Sequence, residues 1–341
     1  MRSLILACLL PTVAFADVAS RLNTLLHNPL TGLPQYESAD PPTVANATLG
    51  RLLFYDKRLS KDGTVACASC HSVTSEYSNN LSVAVGIGGA LGTRKAPPLL
   101  NKAFLSPQFW DGRANSLEDQ ATGPLFNPIE MGTTSDQVVA TLTNISGYAP
   151  YFQTAFGDKT VTIPRITRAI SDFERTLMSG NSLWDRWQKD PTTVYPIEAQ
   201  RGYDLFLDRD CKQCHVPPFF TDNLFHNTGI GFKNGNYSDE GRYGFTKLSG
   251  SEKDQEKAAF KTPTLRNLAK RAPYMHDGSM ASLDDVVTFY NKGGVANPEL
   301  DAHIIPLGLT KIQQSDLKAL LLTLEGEGFE EVPPTAGEFP Q

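Results

Sequence analysis

Two short stretches carry chemistry by residue type and spacing alone. Residues 67–71 read CASCH and residues 211–215 read CKQCH. Paired thiols followed at once by an imidazole suit covalent haem attachment, the cysteines bonding the porphyrin vinyls and the histidine binding iron from below. Cys67, Cys70, Cys211 and Cys214 become attachment points, and His71 and His215 become iron ligands. The fifth cysteine, Cys8, lies inside an N-terminal apolar run, so every other thiol belongs to one of the two motifs. That pattern disfavours a pair of disulfides or a zinc site. It predicts two c-type haems.

The N-terminus, MRSLILACLLPTVAFADVAS, has one basic residue, an apolar run and a small-x-small Ala14-Phe15-Ala16. This predicts a secretory signal over residues 1–16 and an exported, periplasmic protein. The apolar run is too short to span a bilayer, and no later stretch does better. The chain has 31 basic against 37 acidic residues, and losing Arg2 makes the remainder one charge more negative. An acidic surface argues against a nucleic-acid partner and permits a basic protein one.

The elements that must position the motifs are mostly helical. GRLLF (Gly50 to Phe54) precedes CASCH and GYDLF (Gly202 to Phe206) precedes CKQCH. Gly and Phe four apart share a helix face, which predicts close passage by a haem with an aromatic packed on it. Ile166, Ala169, Ile170, Phe173 and Leu177 form an apolar stripe opened by Thr162 and Pro164. Ile312, Leu317, Leu320, Leu321 and Leu324 form another between Thr310 and Gly326. One haem module used twice predicts two cytochrome-like domains, residues 17–190 and 191–341, divided near the Pro191–Pro196 segment. The fold class is mostly α, with long irregular loops. GIGGALG (Gly86 to Gly92) is no dinucleotide loop, because the third glycine of GxGxxG would fall at Leu91.

Residues 109–132, FWDGRANSLEDQATGPLFNPIEMG, gather Trp110, Arg113, Gln120, Pro124 and Glu130. A carboxylate beside an open haem could move the peroxide proton that must change oxygens before the O–O bond breaks. From composition alone, Glu130 reads as an exposed acid and Trp110 as core. Two CxxCH motifs with FWDGR, EDQATGP and NPIEMG between them, however, resemble the bacterial di-haem cytochrome c peroxidases, MauG branch included. The likeness runs from about Leu49 to Leu324. It implies a peroxidatic first haem, Trp110 as electron bridge, Glu130 as distal acid/base, and Gln120 and Pro124 in the distal pocket.

Departures from the family pattern refine the expectation. Respiratory members cap the first iron with a histidine in a Gly-His-Gly-like loop. Here that loop reads SVAVGIGGALGTRKAP with Ile87 nearest the place, and no histidine lies between His71 and His215. The first haem is therefore expected to be open. The second haem, on His215, is capped by methionine in respiratory members. FYNKGG places Tyr290 there, as in the MauG branch, with Met275 and Met280 as competitors. Phenolate favours higher iron oxidation states. His276 is expected to order the haem surroundings, His226 to be structural or near a propionate, and His27 and His303 to be solvated. Calcium, usually held by the asparagine of an R-N-A-P motif, is in doubt because this chain reads Arg94-Lys95-Ala96-Pro97. An ammonium cannot ligate Ca²⁺ and could replace its charge.

The resulting expectation is a di-haem peroxidase that takes hydrogen peroxide at the first haem and stores oxidising equivalents over both to oxidise a partner protein. The alternatives are an ordinary peroxidase fed by a small cytochrome or copper protein, and a non-enzymatic di-haem electron carrier.

Overall fold

The computed structural model describes residues 12–341, with side chains from Asp17 onward. The leader expected at residues 1–16 therefore lies outside the described residues, save for the backbone from Thr12. In chain order the helices are α1 (Thr12–Leu26), α2 (Val44–Tyr55), α3 (Cys67–Cys70), α4 (Leu117–Phe126), α5 (Ser135–Asn144) and α6 (Ala149–Phe156). There follow α7 (Ile163–Arg175), α8 (Leu183–Lys189), α9 (Ile197–Asp208), α10 (Arg242–Thr246), α11 (Leu283–Asn291) and α12 (Lys311–Leu322). Among the described residues strand is confined to two antiparallel two-residue pairs, Phe225–His226 with Phe260–Lys261 and Phe232–Lys233 with Asn236–Tyr237. The class is mostly α, and long loops fill the rest. Among the described residues no helix is long and apolar enough to cross a membrane.

The same packing unit occurs twice. In the first half α2 crosses α7, and in the second α9 crosses α12. A Cβ at Gly50 would overlap the Ala169 carbonyl of α7, and one at Gly202 would overlap the Asp316 carbonyl of α12. Glycine at each crossing lets two helix backbones touch. This corrects one expectation: these glycines admit a helix, not a haem. Phe54 likewise turns into the core, 5.1 Å from Phe173, whereas Phe206 does line a cavity. The repeat was legible, and its purpose was misread.

Capping follows the sequence. Thr162 accepts from Arg165 N at the start of α7, where Pro164 sits in the first turn. Thr310 forms a capping box with Gln313 at α12. Ile312 is a correction, being 71% exposed. It lies in the first turn of α12, ahead of the buried Leu317, Leu320 and Leu321, and misses the face that meets α9.

Three buried clusters divide the interior. The largest runs from Leu49 to Leu177 and also takes in Phe329 from the C-terminal tail. The second contains Trp184, Tyr195, Phe206, Phe220 and the apolar face of α12. The third seats α1, through Val18, Leu22 and Leu25, on Ala47 and Met178. The Pro191–Pro196 segment joins α8 to α9, and Trp187 and Tyr195 stack across it at 4.4 Å. His27 is exposed.

Candidate active site

Each CxxCH motif opens onto its own cavity, with empty volumes of about 1550 Å³ for the first and 1760 Å³ for the second. Cys67, Cys70 and His71 line the first, and Cys211, Cys214 and His215 line the second. All four thiols are free. Burial, with Glu174 and Cys70 nearby, raises the Cys67 thiol, and burial pushes Cys211 up to about 11.

Both histidines are prepared in the same way. His71 Nδ1 lies 3.0 Å from the Tyr77 carbonyl, and His215 Nδ1 lies 3.0 Å from the Phe220 carbonyl. A carbonyl only accepts, so Nδ1 carries the proton and Nε2 keeps its lone pair for a metal. Burial pushes His71 down to about 4 and lowers His215 too, keeping both imidazoles neutral. Tyr77 and Phe220 both adopt the left-handed backbone, at φ 54° and 53°. Bulky residues rarely do so, and such strain gathers at functional sites. Neither conformation has a signature in the residues around it.

Helix α4 and the loop after it contribute to the lining of the first cavity. Ser116 caps α4, and its final carbonyls accept from the returning loop: Asn127 N bonds Gly123 O at 3.0 Å and Met131 N bonds Pro124 O at 3.1 Å. This fold-back lets Gln120, Pro124 and Glu130 line one cavity, together with Trp110 and Arg113. Asn127 Nδ2 donates to Glu130 Oε1 at 2.7 Å and fixes the carboxylate. A Cβ at Gly86 would overlap the Ile129 carbonyl, and Ile87 N donates to Glu130 O at 2.8 Å, so the glycine loop clamps the Glu130 backbone. Ile87 itself packs toward Gly132, and it is not among the cavity residues. His71 is the sole imidazole among the residues lining this cavity, and its one thioether, Met131, is part of the apolar core.

Trp110 stands between the cavities and lines both, as do Lys95 and Ala96. Its indole N–H donates to Lys95 O at 2.8 Å, and its carbonyl accepts from Lys261 N at 2.7 Å. Lys95 N donates in turn to His276 O at 2.7 Å. The buried His276 ring stacks on Phe260 at 3.6 Å, with Trp110 6.3 Å away. His276 therefore orders the seam, as expected. The Lys95 ammonium is buried and caged by the Asn79 carbonyl, Asn79 Oδ1 at 2.9 Å and the Leu81 carbonyl at 3.3 Å.

Around the second cavity, Tyr290 and Met275 both contribute to the lining, and Met280 does not. Met280 is tied instead to Tyr274 in an isolated bridge. Burial raises the Tyr290 phenol. His226 is held by two carboxylates, Asp301 at 2.6 Å from Nδ1 and Asp222 at 2.9 Å from Nε2. His303 is exposed at the cavity rim.

The donor set fits haem. Two neutral imidazoles offer Nε2, each beside a thiol pair, and the second cavity holds cations short of a counter-charge. Buried Arg271 lines the second cavity, bonds only carbonyls of Thr264 and Arg266, and leaves Nε without a partner. Lys261 is pushed down to about 6 by burial, with Lys102 adding repulsion. Propionate groups are the anions that such cations lack.

The sequence pattern of the family described as di-haem cytochrome c peroxidase matches residues 44–193. Methylamine utilization protein MauG of Methylorubrum extorquens is 39% identical over 308 residues, 90% of this chain and 84% of that protein. The chain belongs to the di-haem cytochrome c peroxidase family. Cytochrome c551 peroxidase of Nitrosomonas europaea is 36% identical over 251 residues, 74% of each chain. Among solved structures, a MauG-like protein associated with microbial copper homeostasis superposes with a TM-score of 0.78 at 30% identity, covering 87% of this chain and 97% of that one. This di-haem peroxidase is therefore an oxidoreductase acting on peroxide, with two haem cofactors.

Proposed function

We propose that this peroxidase is exported to the periplasm, takes hydrogen peroxide at its first haem without prior reduction, and draws electrons from a partner protein's side chains in the MauG manner. The observation that carries the proposal is the lining of the first cavity, where Gln120, Pro124 and Glu130 gather and no imidazole or free thioether accompanies His71. Cys67 and Cys70 hold one haem by thioether bonds and Cys211 and Cys214 the other, with His71 and His215 as iron ligands and Tyr290 as the second ligand of the C-terminal haem.

Haem supplies an iron that accepts peroxide and exchanges electrons with it. The protein supplies proton control. Glu130, fixed by Asn127, takes the proton from one peroxide oxygen and returns it to the other, Gln120 orients the molecule, and Pro124 keeps competing ligands out. With two electrons and two protons, peroxide leaves as two waters. Trp110, bonded through its indole to Lys95 and through its carbonyl to Lys261, links the cavities. Lys95 occupies an oxygen cage of the kind hard cations prefer, so its ammonium stands in for calcium. Chelators should leave the enzyme unaffected.

The test is a stopped-flow reaction of the fully ferric protein with one equivalent of peroxide. An immediate spectral change supports the reading, and a reaction that starts only after one-electron reduction refutes it. The likeness to cytochrome c551 peroxidase favours a second reading, peroxide removal with electrons from a small cytochrome. Fast multiple turnover with such a donor would select it.

A further inference from the structure

The aromatic residues behind the two iron-binding histidines differ between the duplicated halves. Behind His71 lies Tyr77, 6.2 Å from Phe54, which is in turn 5.1 Å from Phe173 and 5.3 Å from Tyr55. Tyr77 is fully buried, Arg21 lies over Phe173, and burial with Tyr55 and Glu331 nearby raises the Tyr77 phenol. The group contains no tryptophan. Phe54, Tyr77 and Phe173 are fully buried, and Tyr55 is half-buried.

Behind His215 the arrangement is open. His215 Nδ1 donates to the Phe220 carbonyl at 3.0 Å, and the Phe220 ring lies 4.9 Å from Trp184 and 5.8 Å from Phe206. Trp184 is 6.0 Å from Tyr203, which is 5.8 Å from Trp187, which stacks on Tyr195 at 4.4 Å and 5°. Trp187 is half-buried, and the chain beside it carries the exposed apolar residues Val194 and Ile197. Four oxidisable rings thus form a continuous file from the haem-binding histidine to the surface.

We propose that Trp184, Tyr203, Trp187 and Tyr195 form an electron path with its outlet at Trp187, through which the second haem draws electrons from outside the protein. The proposal rests on peroxide-driven oxidation as read above and adds the route. An electron passes inward from Trp187 through Tyr203 and Trp184 toward His215, and Trp187 loses its indole proton to water. An aromatic side chain of a protein partner at the outlet then refills Trp187. Two electrons so delivered, with two protons, reduce one peroxide to two waters. Local chemistry favours Trp187 as the resting place of the hole. The Trp184 indole N–H has no partner to take its proton, and burial pushes the Tyr195 phenol up to about 12. Trp187 alone of the two tryptophans reaches solvent.

The experiment treats the ferric holoprotein with one equivalent of peroxide and no donor. It follows the lifetime of the oxidised spectrum and maps oxygen adducts by peptide mass spectrometry. Without a partner the path residues are themselves the reductant, so adducts should concentrate on Trp187 and its stacked neighbours. Trp187→Phe should lengthen the lifetime on the order of tenfold and clear adducts from this segment, a barrier change of about 1.4 kcal/mol. Trp187→Tyr, which can still be oxidised, should restore the decay, and Tyr55→Phe in the first-half group should change nothing. Wild-type decay with adducts elsewhere in Trp187→Phe would overturn the path while leaving peroxide reactivity intact. No oxidised spectrum in the wild type would overturn both.

Discussion

Glu130 is held by a single side-chain bond from Asn127, 2.7 Å long, and by the glycine loop that clamps its backbone. If it moves the peroxide proton, Glu130→Gln should lower kcat/KM for peroxide by roughly 10²- to 10⁴-fold, the usual worth of a positioned acid/base. Stopped-flow kinetics against an unchanged resting spectrum would check this. The expectation that Glu130 does so came only through the NPIEMG likeness, although Asn127 three residues before it was a visible positioning signal. His226 makes a different prediction. The Cys214 sulfur, then Asp301 and Asp222, raise its pKa to about 10. An unfolded histidine titrates near 6.5, so protonated His226 stabilises the fold fully below about that pH and loses the effect as pH rises through the raised value. A thioether at Cys214 removes part of that rise, so the window closes at or below about 10. The melting-temperature difference between wild type and His226→Gln should shrink across this window. A constant difference would mean that the carboxylates hold a neutral ring. The Tyr77 and Phe220 carbonyls that fix His71 and His215 lay beyond sequence reading, because backbone acceptors carry no residue signature.

Helices were largely legible because their apolar stripes and caps are local. The α7 stripe and the Thr162 and Thr310 caps fall where periodicity places them. What lies against each stripe is not local. Gly50 and Gly202 were visible as a repeat, yet only the folded chain reveals α7 and α12 pressed against them. Gly50→Ala should therefore destabilise by about 1–3 kcal/mol or more, because backbone, unlike a side chain, cannot swing aside. Gly63→Ala, where a Cβ meets open space, controls for the added methyl, though its φ of 71° carries a strain cost of its own. Thermal melts of the two variants would separate crossing from strain, and equal losses would contradict the crossing argument.

Across the whole molecule, the C-terminal tail returns to the first half. Glu331 is buried against Arg21 of α1 and Arg51 of α2, and Phe329 joins the first core. Nothing in the local sequence announces this, since the partners lie about as far apart as the chain allows. Glu331→Ala would leave two buried guanidinium groups without their shared carboxylate and should cost about 3–5 kcal/mol, read by chemical denaturation. The two cavities that meet at Trp110 and Lys95 are likewise a product of the complete fold. The central claim concerns the difference between them, and low-temperature EPR of the fully ferric protein tests it most directly. The account predicts a high-spin signal from the open first haem beside a low-spin signal from the second. Two low-spin signals would contradict it, because the first iron would then carry a cap that the cavity residues do not provide.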